Sequence, residues 1–205
     1  MKPDDLISAV KDPDAWRLQS SAMRRSAEAL WDKFSETVLV TMGAGVTDDA
    51  LFDVSLQYMQ TSKLLYGLAL ETAFKALIVA SSPQDIDLLV SMDGTDKLND
   101  VEVRSLGVPS SKGHDLVALA EKAGIFGPAF DCILVDARGK DAFRKICRHL
   151  SEMVVWRGRY PAPMRSFDPI ELDPTIPTVV IGHYMRDCPM LDAMGVEGSH
   201  TLARS

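Results

Sequence analysis

The stretch Leu70-Glu71-Thr72-Ala73-Phe74-Lys75-Ala76-Leu77-Ile78 carries the densest helical apolar pattern in this chain. Working back from it, Leu51, Val54, Tyr58, Leu65, Leu68 and Ala69 recur at steps that suit one long helix ending near Ala80. Thr47 is its expected N-cap, with Asp48 and Asp49 in the first turn where the helix dipole favours negative charge. Glu71 and Lys75 stand at i,i+4 in the favourable order. They read either as a surface pair or as a partly buried one, since they lie where the apolar content thickens.

Upstream, Asp12-Pro13 reads as a cap followed by proline at the first helical position. Trp16, Met23, Ala27, Leu30, Trp31, Phe34 and Val38 then form one apolar stripe to about Met42, with Arg17, Arg24, Arg25 and Glu28 on other faces. Gly43-Ala44-Gly45 breaks this helix. Downstream, Ser82-Pro83 repeats the cap-plus-proline signal and predicts a short helix over 84–92. Residues 93–112 read as a long polar loop with local structure around 101–106. His114 or Asp115 opens a helix to Ala123 that Gly124 closes, a short helix is expected over 128–135, and a strong one over 140–156. Beyond Pro161 the prolines at 163, 169, 174, 177 and 189 accompany no sustained period. This region, 162–205, reads as an irregular tail, with a short strand possible over 178–181. The expected architecture is all-α: a four- to five-helix bundle over 1–161 plus that proline-rich tail.

With 205 residues, 46% of them hydrophobic and 25% charged, the chain has the composition of a globular domain. No segment reads as a membrane span or a signal peptide, so the cytoplasm is the expected location, without membrane contact. Cys132, Cys147 and Cys188 make no metal-ligand spacing with the four histidines and read as reduced thiols; no metal and no cofactor is expected. The net charge of −7 argues against a broad nucleic-acid-coating surface but leaves room for a local basic site.

Three segments in order resemble the HEPN family, helical domains of toxins, defence systems and RNA-processing proteins. They are the quoted Leu70–Ile78 stretch, Gly113-His114-Asp115-Leu116-Val117-Ala118-Leu119, and Trp156-Arg157-Gly158-Arg159-Tyr160-Pro161. The resemblance covers roughly residues 58–161. It implies a homodimer, RNA or nucleotide as ligand, and a cognate protein partner of a toxin–antitoxin or defence system. The family's metal-independent ribonucleases pair an Arg with a His a few residues on, which here falls on Arg144 and His149. The His would serve acid–base chemistry and the Arg would stabilise phosphorane charge. An i,i+5 spacing nevertheless turns two side chains about 140° apart on a straight helix.

Arg148, Arg157, Arg159 and Tyr160 are the candidate phosphate- and base-binding residues, because guanidiniums pair with phosphates and aromatic rings stack bases. The same aromatics read equally as core anchors. Glu71, Lys75, His114 and Asp115 form a candidate polar site within the bundle, with His114 reaching towards Glu71 or Arg159. Asp115 alone reads as a helix cap. The rival to a ribonuclease is a non-catalytic helical dimerisation or interaction module.

Overall fold

The computed structural model describes residues 2–44, 49–95, 98–157 and 178–199. Thr47, Arg159, Tyr160 and the stretch 158–177 lie outside the described residues, as do 200–205.

Pro3 at the first helical position, acidic Asp4 and Asp5 after it and Lys11 at the far end start and close α1, Pro3–Lys11. Asp12 then turns the chain, accepting the Asp14 N–H at 2.9 Å, and α2 runs Pro13–Ala44. The second long helix, α3, spans Asp49–Ser81. The two pack antiparallel, tied by Ser20 Oγ donating to the Ala69 carbonyl at 2.6 Å and Ser62 Oγ donating to the Ala27 carbonyl at 2.8 Å. Small side chains at those points let the backbones approach, and each hydroxyl satisfies itself on the facing helix.

By length and composition α3 could cross a membrane, with an 18-residue window of mean hydropathy 1.5, contrary to the expectation that no helix would qualify. A helix that is apolar on all sides is also what a bundle centre requires, and 61% of that window is buried in the fold.

The expected short helix over 84–92 is instead one 3-10 turn, Pro83–Asp85, leading into strand β1, Ile86–Met92. β1 pairs antiparallel with β2, Leu98–Leu106, within the stretch expected to be a loop. Ile86, Leu88, Val90 and Met92 alternate with Asp87, Leu89 and Ser91, a period of two that overrides the cap signal at Ser82-Pro83. The fold is therefore mostly helical with a small two-stranded sheet.

Asp115 caps α4, Leu116–Lys122, by accepting the Val117 and Ala118 N–H groups at 3.0 and 3.1 Å, and Gly124 closes it with φ +73°. A single 3-10 turn, Pro128–Phe130, replaces the expected helix over 128–135. Asp136 caps α5, Ala137–Glu152, which widens into a π-type turn at Met153–Arg157.

The chain beyond residue 177 differs most from expectation. In place of an irregular tail with a short strand, α6, Thr178–Arg186, and α7, Pro189–Ala193, return to the bundle. Ile181, Met185, Cys188, Met190, Leu191, Met194 and Val196 join one core with Tyr66, Leu70, Phe74, Leu119, Phe143 and Leu150. Prolines set φ at helix starts as readily as they mark loops, and Pro189 opens α7 in that way.

Candidate functional site

Glu71 sits in the buried half of α3, its side chain only 6% exposed. Burying a carboxylate requires partners for both oxygens. Oε1 accepts from Lys75 Nζ at 2.5 Å, one turn along the same helix. Oε2 lies 2.9 Å from His114 Nδ1. The His114 side chain is half exposed, at 50%. A carboxylate facing Nδ1 favours the tautomer protonated there, which makes Nε2 the basic nitrogen.

His114 is held in place from two sides. Asp115 ties the chain to the start of α4, and the Leu116 N–H donates to Ser151 Oγ at 2.9 Å, while Ser151 Oγ donates to the Cys147 carbonyl at 2.8 Å. The residue preceding α4 is thus anchored to both α4 and α5. Lys75 in turn lies 5.8 Å from the Trp16 ring centroid, and Trp16 Nε1 donates to the Val10 carbonyl at 2.9 Å. The corner between α1 and α2 therefore covers the lysine. Of the candidate residues named from sequence, the structure brings these four together: Glu71, Lys75, His114 and Asp115.

Arg144 and His149 have separate surroundings. The Arg144 guanidinium lies 4.0 Å over the Phe126 ring, with Nε 3.9 Å from Glu121 Oε1. His149 is half-buried, and its Nε2 is shut off from solvent. Arg148, between them, is exposed. Arg157 closes the π-type turn after α5.

Sequence reasoning missed two buried charged features. Arg24 and Glu28, placed by the sequence on faces other than the apolar stripe, have side chains 5% and 3% exposed and pair at 2.9 Å. Arg24 also donates to Asp192 at 2.5 Å and to the Val196 carbonyl at 2.8 Å, and Glu28 accepts the Ser199 N–H at 2.6 Å. Burial alone would lower the Arg24 pKa, but the bonds and charges of Asp192 and Glu28 outweigh it and the pKa is raised. Lys63 is 2% exposed, and no carboxylate among the described residues pairs with it. Burial pushes its amine down to about 8. Both features were signalled by position: Arg24 and Glu28 lie three or four residues from Ala27 and Trp31, and Lys63 lies likewise between Met59 and Tyr66.

A shallow groove between the start of α2 and the returning C-terminal segment is lined by Asp12, Asp14 and Glu197 against a single Arg17, a charge balance that repels phosphate. Cys132, Cys147 and Cys188 are free thiols. Among the described residues no three His, Cys, Asp or Glu side chains are grouped to hold a metal ion. Compared with protein-family models, curated proteins and solved structures, the chain has no significant match.

Proposed function

We propose that this chain is a HEPN-like cytoplasmic protein associated with RNA or nucleotides, with its chemistry centred on Glu71 and His114. The observation that carries the reading is the buried Glu71 carboxylate set 2.9 Å from Nδ1 of a half-exposed imidazole. An imidazole oriented in this way presents Nε2 as a proton acceptor. It can take the proton of a ribose 2′-hydroxyl, whose oxygen bonds to the adjacent phosphorus as the bond from phosphorus to the 5′-oxygen breaks. This leaves a 2′,3′-cyclic phosphate and a 5′-hydroxyl that takes its proton from water. Exposed Arg148 supplies positive charge for phosphates. Arg144 and His149 are weaker candidates, because the guanidinium is engaged by Phe126 and Glu121 and the imidazole Nε2 is buried. A toxin or defence component with a cognate partner is the setting that the family resemblance implies.

Fluorescence anisotropy with labelled single-stranded RNA tests the reading. Salt-sensitive binding is expected, weakened by Arg148→Glu and little changed by His114→Ala. Absence of salt-sensitive binding at high protein concentration would count against it.

The second reading is a non-catalytic interaction module. It is favoured by Leu39, Val40, Leu51 and Phe52, which are 71%, 63%, 42% and 54% exposed near the α2–α3 connection. In that reading Glu71, Lys75 and His114 only fasten α4 to α3, and the chain leaves RNA untouched.

A further inference from the structure

Strand β1 has β2 as its one strand neighbour among the described residues, and no described strand pairs with its outer edge. Alternate residues of an edge strand turn their N–H and C=O groups away from the ladder, where they can template another strand. Proteins blunt such edges with lysine, proline, bulges or a covering helix. β2 has several of these. Asp100, Glu102 and Arg104 stud it, and α1 packs against it. Both register shifts in the hairpin insert their extra residue on β2, at Asn99 and Arg104.

Among the described residues β1 carries no lysine, proline or bulge of its own. It reads Ile-Asp-Leu-Leu-Val-Ser-Met without interruption, and Asp87 is its single charge. Ile86 and Leu88 rest on the cluster of Val10, Val79 and Leu106. Val90 and Met92 continue the same face beyond that support and are 43% and 60% exposed; Leu89, on the other face, is 42% exposed. A two-stranded ribbon is marginal in water where nothing packs on it, so this half of the hairpin lacks a stabilising neighbour.

We propose that β1 pairs antiparallel with β1 of a second copy of this chain, about a twofold axis through Leu89, to form one four-stranded sheet. The sequence of the strand selects both the occupant and the register. About Leu89, Ile86 faces Met92 and Leu88 faces Val90 of the other copy, and Asp87 faces Ser91, whose hydroxyl can donate to the carboxylate. Every apolar side chain meets another and no like charges are opposed. Moving the axis to Asp87 sets two carboxylates face to face. A one-residue slip joins the apolar face of one copy to the Asp87–Ser91 face of the other. The pairing is isologous and closes at two copies. It does not depend on whether His114 acts on RNA.

Sedimentation velocity of the full chain over a range of concentrations tests the proposal. A dimer is expected, and Leu89→Lys, which sets two ammonium groups on the axis, raises its dissociation constant by at least about tenfold. In a Cys132→Ser background, Leu89→Cys is expected to give a disulfide-linked dimer on mild oxidation. A monomer at every concentration would overturn the proposal. So would a dimer that Leu89→Lys leaves intact, one that Phe52→Glu dissolves while Leu89→Lys does not, or failure of the cysteine to cross-link.

Discussion

Lys63 holds an amine inside the bundle with no acidic partner among the described residues, and burial lowers its pKa to about 8 from 10.5. Between those two values the unfolded chain binds more protons than the folded one, so stability rises with pH. From about pH 7 to about pH 9.5 Lys63 alone contributes a gain of about 2 kcal/mol. The Cys147 and Cys188 thiols, their pKa values raised by burial, oppose it as pH passes the ordinary thiol range, so it is read by urea denaturation as the difference between the unaltered chain and Lys63→Met. Burial raises the Tyr66 and Tyr184 pKa values, an effect that removes stability only as pH climbs above the ordinary tyrosine range. Lys63→Met is expected to be the more stable protein at neutral pH, by a margin that narrows by about 2 kcal/mol as pH rises to about 9.5; a margin that stays constant would show that Lys63 does not titrate in this window. Lysine at this place interrupts the stripe Met59, Tyr66, Leu70 and Ala73, so its burial was readable from spacing. The partnership of Glu71 with His114 was readable only as a direction. Forty-three positions separate them, and only the packing of the α4 start on α3 fixes the distance.

At the scale of the element, α4 shows how a cap serves a site. Asp115 closes two N–H groups and leaves His114 immediately ahead of the cap. Asp115→Ala is expected to cost about 1 kcal/mol in denaturant unfolding. Because the same turn positions the imidazole, any RNA cleavage should fall with it; full cleavage in the variant would detach His114 from that role. The helices α2, α3 and α5 were legible because their periods run long enough to dominate. The hairpin was not, since Ser82-Pro83 is a helix-start signal whatever follows, and the seven-residue strand behind it is too short to outweigh that signal locally. Its strand pairing is a contact between β1 and β2, which no single window contains.

At the scale of the whole molecule, residues 178–199 complete the core that α3 begins. Arg24 is the fastening, joining Glu28, Asp192 and the Val196 carbonyl from inside α2. Arg24→Met would leave the buried Glu28 without its ion-pair partner, and a loss on the order of 3–5 kcal/mol is expected, seen as a lowered Tm. A change under about 1 kcal/mol would show that the C-terminal helices hold by apolar packing alone. That return was illegible because proline density and a missing period look alike in a loose tail and in short helices joined by turns. The long-range partner of Arg24 lies more than 160 positions away.

The central claim, that RNA chemistry belongs to Glu71 and His114, is tested most directly by metal-free cleavage of a mixed RNA pool. The rates to compare are those of the unaltered chain, His114→Asn, Glu71→Gln and His149→Ala. Cleavage by the unaltered chain and by His149→Ala, with loss of at least about a hundredfold in His114→Asn, is the expected result. No cleavage by any of them, or cleavage lost in His149→Ala and kept in His114→Asn, would contradict it.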